Sequence, residues 1–520
     1  MYCNVGHFTE VFEIQLEIAQ QHLDKGDHVE FLFCDGFIPI CEINIKKELD
    51  TCLYCIGRRN SGISLLKGKA VKKNLIQFSK FEDIRKVNNL RTIFESLEDL
   101  SNYRLEKFDI GQSVYSSIAD IKREHLPNLN EYKSEIRKFI KAAGRIYFCM
   151  LNYINKRKPD IVYIYNGRHA LERPVIEACK KLSVSFYTHE FAYNGGYLLF
   201  KNTLVQDHLE FLKQFYSDIK SASKKLIKRA GKVFYENNIG IRQGNISFNK
   251  RTLQFDNSKY IALDRHKKEK VLPKNWNKDK YNVVIFQSSE FEDHTAKEFY
   301  NHRKVYKNTV DGLISITREC FKRDRHLHFF VKLHPSFKFW ADKPQELDIL
   351  SSLNLPNNVT FIYPDSNVDS YHLMDHADKV VAFRSTAGIE SAYRGKPVIM
   401  LEDHIIAKLK SVYLAKDHQD AIELISDKKL PALPIDDALN YGYFNLFQGI
   451  IPKYYSRHPQ KSYEEDWGIF KGINIKPGIL YFIIIRIIRN RRIKFITKYS
   501  KSCARILFFY SMELNNKKRK

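Results

Sequence analysis

The sequence has no uninterrupted apolar run of the roughly 18 residues that a membrane-spanning helix needs. Its densest apolar stretch, Ile479-Leu480-Tyr481-Phe482-Ile483-Ile484-Ile485-Arg486-Ile487-Ile488, carries an arginine inside it. It also lacks a basic leader followed by an apolar segment: the chain starts MYCNVGH, so no secretory signal is expected and the body is expected to be cytoplasmic. Cysteine is sparse, nine in 520 residues, and in an unexported chain these are expected to be reduced thiols. No short-period repeat is apparent, which argues against a solenoid.

What is present is globular in kind. Hydrophobic residues make up 44% of the chain, enough to bury sizeable cores and to exclude disorder as the default. The net charge of +25 invites an RNA-binding reading, but about half of the excess lies between 471 and 520, where 14 Lys and Arg face one acid, Glu513. A basic tail behind a near-ordinary body suits an anionic membrane at least as well as RNA. No nucleic-acid partner is expected. The apolar stretch that begins at Ile479 reads either as a helix in the headgroup region, with Arg and Lys snorkelling, or as a last core helix.

The most informative stretch is DKVVAFRSTAGIESAYRGKPVIMLED, from Asp378 to Asp403. Val380 to Phe383 and Val398 to Leu401 have the composition of buried parallel strands, and Ile389 to Arg394 that of the helix joining them. Between strand and helix, Ser385, Thr386 and Gly388 supply hydroxyls and an open backbone where a phosphate is favoured. Glu390 lies one helical turn on, at a place that suits ribose hydroxyls. The plain alternative is an ordinary capped helix.

Other strands end in polar residues. Asp160 to Tyr165 leads to Asn166-Gly167-Arg168, and Val184 to Tyr187 to Thr188-His189-Glu190. Tyr281 to Phe286 leads to Gln287-Ser288-Ser289-Glu290, and His328 to Leu333 to His334-Pro335. Open parallel sheets hold ligands at such carboxyl edges. Asn166 and Arg168 also fit turn chemistry and a surface charge, and Glu190 also fits a structural carboxylate. At the start, helix 8–25 precedes strand 28–33, and the strand expected before them is either missing through truncation or abbreviated. Cys34, Cys41, Cys52 and Cys55 follow at C-x6-C-x10-C-x2-C spacing. They read as a structural zinc site or as buried thiols.

Strands and helices alternate twice over, giving an α/β expectation of two doubly wound domains. Expected boundaries are 1–235 with a helical insert at about 57–151, a linker at 236–280, a second domain at 281–450 and a basic extension at 451–520.

With those residues in place, the chain resembles bacterial capsule and surface-polysaccharide glycosyltransferases of GT-B architecture. The matching pieces are VKLHPS, FRSTAGIESAYRGKPVI, NGRHALERPVIEACKKL with THE after it, and HFTEVFEIQLEIAQQHLDKGDHVEFLFCDG. The resemblance implies two Rossmann-like domains facing across a cleft, the second holding a nucleotide-sugar donor. An oligosaccharide or glycolipid acceptor would face the first, at the inner side of the membrane. It places His334, Lys332, Ser385, Thr386 and Gly388 around the donor phosphate, Glu390 toward the nucleoside and Asn166 and Arg168 on the acceptor side. Glu190 is the nearest match to a catalytic base, although the usual Asp/Glu-x-Gly form is absent. No Asp-x-Asp stands at a strand end, so catalysis without a divalent ion or other cofactor is expected. Rival readings are a teichoic-acid-type polyol-phosphate transferase, an NDP-sugar epimerase and a non-catalytic membrane-bound assembly factor.

Overall fold

The computed structural model describes residues 1–489 apart from 4–5, 35, 123, 125, 193, 244–246, 250–253, 257–270, 289–304, 335–349, 351–352, 354 and 458–467. Ser289, Glu290, Pro335 and the basic run at 490–520 therefore lie outside the described residues.

The first half opens with β1 (Tyr2–Cys3), α1 (Val11–Asp24), β2 (Glu30–Phe33), α2 (Leu49–Ser64) and β3 (Val71–Asn74). β1, β2 and β3 form a parallel sheet, so the first strand is present and only two residues long. Helices α3 (Phe81–Asn88), α4 (Leu97–Asn102), α5 (Ile110–Lys122) and α6 (Lys133–Arg157) fill the expected insert. Strand β3 falls inside that insert and was hidden by its Lys72-Lys73 pair. The chain continues through β4 (Ile161–Tyr165), α7 (Arg173–Lys181), β5 (Ser185–Phe191) and β6 (Tyr197–Lys201). β4 pairs parallel with β5, β6 antiparallel with β5, and β1 lies beside β4. Read across both sheets, the strand sequence is 3-2-1-4-5-6.

Helices α8 (His208–Ser221) and α9 (Lys224–Gln243) come next, then the short pair β7 (Ser247–Asn249) and β8 (Gln254–Asp256). The second half contains β9 (Tyr281–Phe286), α10 (Thr309–Arg323), β10 (Leu327–Lys332), β11 (Val359–Ile362), α11 (Ser370–His376) and β12 (Lys379–Ala382). It ends with α12 (Ala387–Tyr393), β13 (Val398–Met400), β14 (Tyr413–Leu414), α13 (His418–Ser426) and α14 (Asp436–Phe447). Its sheet is parallel throughout, in the order β11-β10-β9-β12-β13-β14, again 3-2-1-4-5-6. Side chains along these strands alternate between two cores, as a pleated strand covered on both faces requires. Val284, Phe286, Val380, Ala382 and Met400 enter one; Val283, Ile285, Val381, Phe383 and Ile399 enter the other.

Phe215, Ile227, Ala230 and Val233 of α8 and α9 are buried in the core beneath this second sheet, so these helices pack with the second half although α8 and the first half of α9 lie before position 235. α9 meets α14 backbone to backbone: an added Cβ at Gly231 would sit 2.5 Å from the Leu439 carbonyl oxygen. Gly231→Ala is expected to lower stability by about 1–3 kcal/mol through overpacking, and thermal unfolding reads it directly.

After α14 the chain crosses back. The backbone N–H of Tyr197 donates to the Ile450 carbonyl at 3.1 Å and that of Ile450 to Tyr197 at 2.7 Å. β15 (Tyr455–Arg457) and β16 (Gly468–Phe470) form an antiparallel pair lying on α1. Glu17 of α1 accepts the backbone N–H groups of Lys453, Tyr454 and Tyr455 at 2.8, 2.6 and 2.8 Å. The polar positions of α1, which the sequence presents as a solvent face, are therefore buried attachment points. Helix α15 (Ile479–Arg489) then packs against α2.

Candidate active site

In the second half, strand order reverses between β9 and β12, the two central, parallel strands. Successive connections leave on either side of that point, and the crevice outside the strands' carboxyl ends there is where doubly wound sheets hold ligands. Register fixes what surrounds it: Phe286 lies opposite both Lys332 and Ala382. The residues just beyond, Gln287, His334 and Arg384, consequently share one edge. The Gln287 side-chain oxygen accepts the His334 backbone N–H at 3.4 Å, and the Ser288 hydroxyl accepts that of Arg384 at 3.1 Å.

The donor-side candidates divide within this frame. His334 is half-buried at the edge, and Ser385 is half-buried with its hydroxyl accepting the Ala387 N–H at 3.2 Å. Thr386 is exposed and donates to the Glu390 carboxylate at 3.3 Å. Glu390 itself is buried near Tyr235 and Tyr441; burial first and this carboxylate second push the Tyr441 hydroxyl up to about 12. At Gly388 an added Cβ would lie 2.7 Å from the Met400 sulfur, so close packing of α12 on β13 explains the glycine. Lys332 is buried, its ammonium donating to the Val368 carbonyl at 3.3 Å. Arg384 is no surface charge: its guanidinium meets the Glu402 carboxylate at 2.9 Å with both side chains buried. Glu402 was not singled out from sequence because it carries no local signature.

In the first half, Asn166 and Glu190 come from neighbouring strands and meet. The Asn166 amide donates to Glu190 at 2.9 Å, and its oxygen accepts from Gln206 at 3.0 Å. Asn166 holds φ 49° and Gly167 φ 101°, a left-handed turn that brings the amide back toward β5. Glu190 is still within β5, opposite Leu198, because the strand runs four residues beyond the expected end at Tyr187. It keeps partial solvent access, yet desolvation by surrounding protein pushes its carboxyl up to about 7. The Asn166 amide, the Phe191 N–H and Arg168 pull the other way, and Glu10 adds to the rise. Arg168 is itself held by Asp120 at 3.4 Å and by His169 at 3.1 Å. His189, fully buried, is held neutral with its pKa lowered to about 3 by desolvation, and its ring nitrogen lies 3.3 Å from the Gln15 amide.

Glu10 is a second residue that the sequence does not reveal. It is buried, with φ 72° and ψ −51°, close to the strained γ-turn region that non-glycine residues rarely occupy. The Tyr455 hydroxyl donates to it from the returning segment. A Glu beside a helix start reads as an ordinary partner of the helix dipole, so no local signal marks it.

Cys34, Cys41, Cys52 and Cys55 line one cavity of about 30 Å³ with His7 and Arg59, room for a water and not for a sugar. Burial pushes the Cys34 thiol up to about 11 and raises the Cys41 thiol well above the usual thiol range. Among the described residues, no three His, Cys, Asp or Glu are grouped to hold a metal ion. Alkylation of Cys34 by iodoacetamide at pH 7.5 is expected to run more than tenfold slower than that of a free thiol and to accelerate toward pH 11. Peptide mass spectrometry measures it, and elemental analysis of the same reduced protein reads any bound zinc.

Two tandem α/β halves, each with its strands in 3-2-1-4-5-6 order, define a two-domain Rossmann-like architecture. No protein-family model and no curated protein matches the chain. Solved structures do. One is Thermosulfurimonas dismutans KpsC, a β-Kdo 2,4 transferase, at 14% identity and TM-score 0.33 over 54% of this chain and 79% of that one. A second is S. aureus MnaA in its UDP co-structure, at 12% identity and TM-score 0.25 over 81% and 93%. A third is UDP-GlcNAc 2-epimerase from Neisseria meningitidis bound to UDP-GlcNAc, at 13% identity and TM-score 0.23 over 84% and 94%.

Proposed function

We propose that the protein is a glycosyltransferase that moves a sugar from a nucleotide-activated donor to a cell-surface polysaccharide or its lipid-linked precursor, at the cytoplasmic face of the membrane. The observation that carries the reading is Glu190: a carboxylate at a sheet's carboxyl edge, partly open to water, with its pKa near 7. A base poised there takes the proton of an acceptor hydroxyl at neutral pH. Asn166 orients it through the 2.9 Å hydrogen bond, and Arg168 sets its charge environment from the acceptor side.

The donor belongs to the second half. His334 and Ser385 supply hydrogen-bond donors to the phosphates at the strand-order reversal, with Thr386 beside them. Glu390 takes the ribose hydroxyls, and Lys332 and Gly388 keep the strand and helix in position. Charge that builds on the departing phosphate is held by these groups. No divalent ion or cofactor enters the scheme.

His334→Ala is expected to cut transfer at least tenfold, since a hydrogen bond to a charged phosphate is worth about 1.5–3 kcal/mol. Glu390→Ala is expected to raise the KM for donor with a smaller change in kcat. Steady-state kinetics on both variants, with thermal unfolding as the control, checks the assignment. Unchanged transfer by both variants removes it. A product that is an epimer of the free nucleotide sugar, formed without acceptor, turns the reading to an epimerase.

A further inference from the structure

Helix α15 presents two faces of opposite fate. Tyr481 and Ile485, four residues apart and hence on one face, turn inward. Gly57 of α2 makes room for the first: a Cβ there would lie 2.8 Å from the Tyr481 ring and 2.9 Å from Pro477. Asn60, one turn along α2, donates to the Tyr481 hydroxyl at 3.1 Å, and Ile485 is buried. At about 100° per residue, Ile479, Leu480 and Ile483 fall on the opposite side and Phe482 on its flank, about 80° from the inward direction. They are 81%, 66%, 49% and 56% exposed, in that order. Four large apolar side chains within about 160° of the circumference of one helix form a patch that a soluble surface seldom keeps open.

We infer that this outward face of α15 is a docking surface for an anionic lipid bilayer. The charge that follows it in the chain selects that occupant over others. From Arg486 to Lys520 the sequence carries 12 Lys and Arg against a single acid, Glu513. An apolar face continued by a strongly basic segment matches a membrane interface, in which acyl chains take the isoleucines and lipid phosphates the basic side chains. A second copy of this chain would bring two such basic segments together and is disfavoured by their repulsion. Among the described residues no helix is long and apolar enough to cross a membrane, so the contact is with the surface.

The attachment is rigid because α15 is fastened to α2 through Tyr481 and not through a free linker. α2 presents Cys52, Cys55, Ile56 and Arg59 to the cavity and Gly57 and Asn60 to α15. Docking therefore holds the first half about one helix diameter, roughly 10 Å, from the bilayer. The inference specifies the surface behind the membrane location in the proposed function but does not rest on the transfer chemistry, so vesicle binding and sugar transfer fail independently.

The experiment is flotation of the full chain with phosphatidylcholine vesicles, with and without phosphatidylglycerol. Wild type is expected to float with the anionic vesicles and weakly with the neutral ones. Ile479→Ser, Leu480→Ser, Phe482→Ser and Ile483→Ser combined are expected to reduce anionic-vesicle affinity at least tenfold while the thermal midpoint and nucleotide binding stay at wild type. Phe482→Trp keeps the apolar face and reports it: tryptophan emission is expected to shift to the blue when anionic vesicles are added. Undiminished flotation of the combined variant, or an unmoved emission maximum in the vesicle-bound Phe482→Trp protein, overturns the inference. So does a wild-type dimer that ignores vesicles and that the serine variant converts to monomer. Should the combined variant unfold, the emission experiment decides alone.

Discussion

Glu190→Gln is expected to slow sugar transfer by about 10²–10⁴-fold while nucleotide affinity stays close to wild type. Its unfolding midpoint is expected to be unchanged below about pH 4.5 and no lower than wild type above it. The amide is nearly isosteric, and its oxygen can still accept the 2.9 Å hydrogen bond from Asn166. What it cannot do is take a proton. The pH profile carries the same content. Desolvation raises the carboxyl to about 7, so the fraction able to act as base falls as pH drops through that value. Activity is expected to show an acid limb of unit slope centred near pH 7, and the residual activity of Glu190→Gln is expected to lack it. Stability has the opposite sign. A carboxyl whose folded pKa is raised contributes stability below about 4.5 that is lost as pH rises through about 7. A purely structural Glu190 would give a destabilised variant with an unaltered pH–rate profile, and kcat/KM measured between pH 5 and 9 separates the two.

Arg58→Ala is expected to cost about 3–5 kcal/mol of stability, because removing one member of a buried pair strands the other's charge. Arg58 is almost wholly buried, and its guanidinium meets Glu13 of α1, which has no solvent exposure at all. It also donates to the Gly6 carbonyl at 2.9 Å and to the Ile475 carbonyl at 3.1 Å. One side chain thus joins the β1–α1 loop, α1, α2 and the returning carboxyl-terminal segment. Burial raises the Glu13 carboxyl despite the neighbouring cation. Arg58→Met combined with Glu13→Gln is therefore expected to recover much of the loss, since neither variant side chain carries charge. Chemical denaturation of the single and double variants gives the comparison. Equal losses in both would show that packing and the two carbonyl contacts, not the stranded charge, set the cost.

The second sheet was legible because its strands are apolar on both faces: Tyr281–Phe286 appears in the structure with the boundaries its composition gives. The helix that follows β12 was legible too: α12 ends at Tyr393, one residue short of the expected Arg394. β3 was not, since an edge strand reading Val-Lys-Lys-Asn buries little and looks like helix surface. Nor were the α1 attachment points. Glu13 and Glu17 occupy the polar side of an amphipathic pattern, and only the returning chain, more than 400 residues on, makes that side interior. The site shows the same division. Glu190 and Asn166 were each visible as polar strand ends, but their contact depends on β4 pairing with β5. Glu10 and Glu402 depend on pairings with no local trace, so nothing short of the fold reveals them. Gly388 carried a signal with two physical causes, phosphate approach and helix packing, and Met400 supplies the second.

The central claim is that the crevice between β9 and β12 binds a nucleotide sugar. Thermal unfolding of the purified full chain against a panel of nucleotide sugars tests it most directly. A ligand at a hundred times its Kd stabilises the folded state by about 2.7 kcal/mol, a plainly measurable rise in midpoint. The account predicts that at least one nucleotide sugar produces such a rise, that His334→Ala reduces it and that Glu190→Gln leaves it intact. A panel in which no nucleotide sugar moves the midpoint at millimolar concentration would contradict it.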